Sequence, residues 1–113
     1  MLYSTENIEA IANGDASFVK SIIEIFIETS SNCVVQINKG IELKDGKLIN
    51  YNAHQLKPSI DLLEINDGKE LVRTLETESM LEKVDFDLLA IKAASFSQLI
   101  ETVNAALKSD FSI

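Results

Sequence analysis

The 113 residues contain one histidine, His54, and a lysine follows it three positions later, Lys57. A neutral imidazole has a free nitrogen lone pair near physiological pH, because its ordinary pKa is ~6.5. Such a nitrogen can attack an acyl phosphate without a separate general base. A lysine at i+3 lies on the same helical face, where its ammonium can offset charge on phosphoryl oxygens. Other chemistries find less material. The single cysteine, Cys33, allows neither an internal disulfide nor a cysteine metal cluster, and reads as a small buried hydrophobe. One histidine with no carboxylates at ligand spacing argues against a metal site. No strand–turn–helix context presents a serine for a Ser-His-Asp hydrolase. Asp61, Glu64, Glu76, Glu78 and Glu82 read as solvated acidic faces. Asp61, four residues after Lys57, is the simplest alternative partner for that lysine, in a pairing worth ~0.3 kcal/mol.

Both residues lie in a stretch with helical periodicity. Ile49, Ala53, Leu56, Ile60 and Leu63 fall at offsets 0, 4, 7, 11 and 14, which makes one continuous apolar stripe. His54 is about 140° around the helix from Ile49, so it faces away from that stripe, with Tyr51, Lys57, Pro58 and Asp61 near it. The pattern predicts an exposed imidazole.

The flanking sequence supplies the elements that would hold this helix. Residues 4–13 read as a short first helix capped by Ser4 or Thr5, carrying Ile8 and Ile11 and ended by Gly14, which tolerates a left-handed conformation. Asp15 or Ser17 caps a long second helix, from about residue 16 to 43, whose stripe is Val19, Ile22, Ile23, Phe26, Cys33, Ile37 and Ile41. The weak helix formers Thr29-Ser30-Ser31-Asn32 interrupt its composition but not its phase, so we read a single helix. Ile25 and Ile27 lie off the stripe, and either widen the core face or form an exposed patch. Asp45-Gly46 is a turn. The third helix runs from about Lys47 to Ile65, Asn66-Asp67-Gly68 turns with Asp67 as a cap, and Lys69 to about Glu82 forms a fourth helix packed through Leu71, Val72 and Leu75. Lys83-Val84-Asp85 connects to a last helix marked by Leu89, Ala93, Phe96, Ile100, Val103 and Leu107, and the tail SDFSI reads as frayed. The expected fold class is all-α, a single domain over 1–113. Its expected architecture is an antiparallel four-helix bundle with a short extra N-terminal helix.

Composition bounds the function. The chain has 18 acidic and 10 basic residues, a net charge of −8, which disfavours nucleic acid and anionic membrane as partners. No apolar run reaches the ~18 residues of a membrane span, and the N-terminus lacks the pattern of a signal peptide. A cytoplasmic location is the default expectation.

The run Ala53-His54-x-Leu56-Lys57-x-Ser59 resembles the Ala-His-x-Leu-Lys-Gly-Ser motif of histidine phosphotransfer (HPt) domains. The short helix ending at Asn13-Gly14-Asp15, the Phe18-Val19 opening of the long helix, Phe26 within it and the order of helices are similar to that family's layout. The resemblance implies a four-helix bundle that relays a phosphoryl group between aspartates of response-regulator receiver domains and has no catalytic apparatus of its own. It places the phosphoryl group on His54, with Lys57 as the cation beside it and Tyr51, Gln55, Pro58 and Asp61 as the docking face. It implies no cofactor on this chain, Mg²⁺ on the partner receiver, and receivers and a hybrid sensor histidine kinase as partners. The chain could equally stand alone or form part of such a kinase. The chain departs from the pattern twice: Pro58 stands where the motif has glycine, and Glu64 where a glycine is usual ten residues after the histidine. Proline at 58 removes the amide that would bond the His54 carbonyl, which ordinarily costs ~3 kcal/mol and predicts a kink beside the site. A helical adaptor that binds a receiver or a partner helix without accepting phosphate is the alternative reading.

Overall fold

The computed structural model describes residues 1–113 and contains five helices and no strands. They are α1 (Glu6–Ala12), α2 (Ala16–Leu43), α3 (Gly46–Leu62), α4 (Asn66–Glu78) and α5 (Phe86–Asp110). Three of the four longer helices start on an aspartate. Asp15 Oδ1 accepts from the Phe18 amide (3.1 Å), Asp45 Oδ1 from Leu48 (3.1 Å) and Asp85 Oδ1 from Leu88 (3.0 Å). Each bond satisfies one of the amides that a helix N-terminus leaves free, typically for ~1 kcal/mol. Asp45 is therefore the cap of α3 rather than part of a detached turn, and Gly46 is its first helical residue. Asn13 is left-handed (φ 49°) at the end of α1 and Gly14 follows at φ 87°.

Packing departs from the sequence expectation at the α3–α4 junction. Asp67 does not cap α4. The helix begins at Asn66, the preceding residue is Ile65, and no side chain caps it. Tertiary burial fixes this start instead. Leu63 and Ile65 are buried, the Ile65 amide bonds to the Ile60 carbonyl (3.0 Å), and Glu64 between them is left-handed (φ 48°). Burying two large aliphatic side chains is worth several times one cap. Residues 79–82, expected in α4, lie beyond its end. At the C-terminus, Ser109 and Asp110 are helical rather than frayed, and Phe111 packs partly against the core. The hydroxyl of Tyr3 donates to Asp110, and burial together with that carboxylate pushes its pKa up to about 12.

α2 is one helix through Thr29–Asn32. Ser30 is buried, and its hydroxyl accepts from Asn104 Nδ2 on α5 (3.0 Å), so the weak helix formers serve an interhelical contact. Ile27 joins the core and Ile25 is exposed, while Ile11 of α1 also faces solvent. α3 likewise continues as a single helix through Pro58, which lies on its exposed side. Contacts join α2 to α3, α3 to α4, α4 to α5 and α5 to α2, with α1 against α2. The four longer helices thus close a ring around the apolar stripes, and the molecule measures 47 × 21 × 21 Å. No helix is long and apolar enough to cross a membrane.

The α2–α3 crossing is tightest at Gly40, where an added Cβ would lie 2.6 Å from Cγ1 of the fully buried Ile49. Alanine at that position gains ~1 kcal/mol of helix propensity, but overpacking a filled core costs ~1–3 kcal/mol. Gly40→Ala is therefore expected to lower the melting temperature by several degrees, at ~4–8 °C per kcal/mol. An unchanged or raised midpoint would show that the crossing has slack.

Candidate functional site

The stripe on α3 decides where His54 points. Ile49, Ala53, Leu56 and Ile60 are all fully buried. Their helical phase turns His54 outward at the midpoint of the helix, where its side chain is 76% exposed. Lys57, one turn on, is 44% exposed. α4 brings a third residue to this pair. Glu76 Oε2 lies 2.5 Å from His54 Nδ1, and Glu76 Oε1 accepts from Lys57 Nζ at 3.1 Å. One carboxylate, only 13% exposed, thus bridges the imidazole and the ammonium.

This corrects the reading of Glu76 as part of a solvated face, and of Asp61 as the partner of Lys57. Asp61 is exposed and makes no ion pair. Glu76 comes four residues after the buried Val72 and directly after the buried Leu75, so it stands at the edge of the α4 stripe rather than opposite it. That position was the signal available in the sequence. The residue it would meet, 22 positions earlier, was not.

The carboxyl of Glu76 is held below its ordinary 4.5, chiefly by the hydrogen bond from His54 and then by Lys57, against burial, which acts the other way. An ionised carboxylate can only accept, so the proton of a neutral His54 ring resides on Nδ1. Nε2 has no partner within the protein, and in that neutral form it carries the lone pair. The arrangement is an exposed imidazole whose Nδ1 side faces a carboxylate, with a cation one turn away.

The other residues read as a docking face lie at the surface. Tyr51, Gln55, Pro58 and Asp61 are all exposed around His54, and Gln55 Nε2 donates to the Tyr51 hydroxyl at 2.7 Å. Beside them Gln55 and Ser59 line an open groove of about 300 Å³ between α2 and α3, floored by Ile22, Ile25, Phe26 and Leu62. The largest cleft, about 700 Å³, is elsewhere, at the end of the molecule between Leu43–Lys47 and Ser79–Phe86. It contains neither the imidazole nor the thiol. His54 therefore sits on an open surface and must be enclosed by a partner if it is to react away from water. Cys33 is buried, which pushes its thiol pKa up and leaves it outside this chemistry.

Because Glu76 is held ionised by the fold, its contribution to stability is present in full above its ordinary pKa of 4.5, and is lost as pH falls through the lowered value. The margin of the native chain over Glu76→Gln, followed by thermal melts from about pH 7 to about pH 3, should therefore shrink on the acid side of 4.5. A margin that stays constant across that range would mean that the carboxylate charge contributes nothing to the fold. No protein-family model, no curated protein and no solved structure matches the chain.

Proposed function

We propose that the chain is a histidine phosphocarrier of the HPt type, which accepts a phosphoryl group from an aspartyl phosphate of a receiver domain on His54 Nε2 and passes it to another. The observation that carries this reading is the pairing of His54 Nδ1 with the Glu76 carboxylate on an exposed ring, which in the neutral imidazole puts the lone pair on Nε2. In the transfer, the Nε2–P bond forms as the bond from phosphorus to the aspartyl oxygen breaks, and the aspartate leaves as a carboxylate. The proton on Nδ1 stays in place, and the positive charge that develops on the ring faces Glu76. Lys57 Nζ, half-exposed beside the same carboxylate, can turn to the phosphoryl oxygens as they arrive. The reverse step delivers the group to the next receiver. Mg²⁺ belongs to the receiver in this scheme, and a hybrid sensor histidine kinase is the expected source of phosphate.

The architecture that goes with this reading is an antiparallel four-helix bundle closed at one end by α1. Contact pairs support it. Ser30 meets Asn104 and Asn38 meets Ser97, so α5 descends as α2 rises. His54 meets Glu76, and Gly68 lies near Ile60, so α4 opposes α3. α2 and α3 are joined by only Lys44 and Asp45. Glu64, at the place where the resembled pattern has glycine, is left-handed at φ 48°, the conformation that glycine adopts most freely.

Pro58 favours a second reading, an adaptor that docks on the same face without accepting phosphate, since proline there replaces the glycine beside the histidine. Two substitutions separate the cases. His54→Gln keeps the fold and removes the only imidazole, so acid-labile, alkali-stable phosphate should disappear entirely, while receiver binding stays within ~1 kcal/mol because packed apolar neighbours dominate such contacts. Phosphate still taken up by the variant would refute the site. A native chain that binds phosphorylated receivers and never takes up phosphate would establish the adaptor. Lys57→Ala should slow transfer with little change in melting temperature, as only a half-solvated cation is lost. Equal rates for native and variant at low and moderate salt would remove Lys57 from the chemistry.

A further inference from the structure

The side chain of Glu76 is only as well placed as its backbone, and that backbone lies at a helix end. α4 stops at Glu78, so its last carbonyls lack the usual amide partners. The amide that would ordinarily bond to the Glu76 carbonyl, that of Met80, goes to Thr77 instead (3.3 Å). Two side chains take its place. Asn50 Nδ2 donates to the Glu76 carbonyl at 2.7 Å from across the α3–α4 boundary, and the Ser79 hydroxyl donates to it at 3.0 Å.

Asn50 stands four residues before His54 and four after Gly46, so the three form one ridge of α3. Each meets the end of α4 in turn. Gly46 lies so close that an added Cβ would sit 2.2 Å from the Ser79 carbonyl oxygen. Asn50 holds the Glu76 carbonyl, and His54 holds the Glu76 carboxylate. Asn50 and Ser79 are half-buried and buried respectively, so neither presents itself to a partner. Their bonds fix the height of Glu76 along α3.

We infer that Asn50 and Ser79 are positioning residues which, by clamping the Glu76 carbonyl, hold the His54 proton on Nδ1 and so keep Nε2 as the reactive nitrogen. The link to reactivity rests on the phosphocarrier reading; the link to the tautomer does not. The clamp acts through geometry. A shift of the α4 end lengthens the bond to Nδ1, and the ring proton is then free to occupy Nε2, which blocks the lone pair.

The test is a ¹⁵N NMR measurement of the two His54 ring nitrogens, made at about pH 8 where an ordinary imidazole is neutral. It would be done on the native chain, Asn50→Ala and Ser79→Ala, with phosphotransfer rates measured alongside. The native ring should be predominantly Nδ1–H. Asn50→Ala should move population toward Nε2–H and slow transfer by roughly tenfold, inside the ~10²-fold that a misplacement of about 1 Å can cost. In a Glu76→Ala background, Asn50→Ala should change the tautomer no further, because its effect runs through Glu76. Ser79→Ala, which deletes a single hydroxyl, gives the same reading should the Asn50 variant fail to fold. A lowered melting temperature with a native tautomer in the folded variants would reduce Asn50 and Ser79 to a helix-end cap and overturn the inference. A shifted tautomer in a chain that never accepts phosphate would leave the clamp standing and sink the phosphocarrier reading alone.

Discussion

A helix that buries Ile49, Ala53, Leu56 and Ile60 completely has no freedom in where it turns His54. Each of those aliphatic side chains contributes of the order of 1.5–3 kcal/mol on leaving water, less for the alanine. Rotating α3 to bury the imidazole would forfeit most of that total, so the apolar stripe holds the imidazole at the surface. The same phase sends Gly46 and Asn50 toward α4, and with them Lys57, whose ammonium meets Glu76. The core of the ring of helices and the polar contacts on its outside thus share one constraint.

Glu76 shows how the two environments meet. A carboxylate with 13% of its side chain exposed has lost much of its hydration, and without partners that loss would raise its pKa. The observed direction is the reverse, because the His54 and Lys57 bonds outweigh desolvation. Both partners remain largely solvated, at 76% and 44% exposure, so they give up little hydration to make these bonds. The balance differs from that of a fully buried ion pair, where two desolvated charges can cost as much as their attraction returns. Here the carboxylate is largely buried, while the ammonium of Lys57 and the ring of His54 stay in contact with water. Breaking the Lys57 contact from the solvent side is correspondingly easy.

How much of this could be read in the sequence follows from the range of the interactions. Periodicity is local, so the bounds of α2, the stripe of α3, the outward His54 and the Asp15 cap were all legible. The end of α4 was not, nor was its start, because Ile65 wins over Asp67 through burial against residues distant in the chain. Glu76, Asn50 and Ser79 escaped for the same reason. The bonds that Glu76 makes to His54 and Lys57, and that Asn50 makes to the Glu76 carbonyl, span 19 to 26 residues between α3 and α4, and only the packing of two helices brings them together. The Ser79 bond is local but depends on where α4 ends. The polar run Thr29–Asn32 looked like a weakness in α2, yet Ser30 is where α2 bonds Asn104 of α5.

The position of Pro58 brings the same physics to the outer face. Proline in a helix interior forfeits one hydrogen bond, here the bond to the carbonyl of His54 itself. On a buried face that carbonyl would be stranded without a partner; on the exposed side of α3 water can serve it, so the cost is small enough for the helix to continue. What proline changes is the surface presented beside the imidazole: flat, apolar and without an amide. The surface around His54 therefore combines Tyr51, Gln55 and Pro58 with the groove lined by Phe26 and Leu62, against a background charge of −8. The carrier and adaptor readings both use that face, and its shape does not distinguish them. The two readings part at Nε2: only the carrier needs a lone pair there, and the Glu76 carboxylate on the other side of the ring is the contact that favours it.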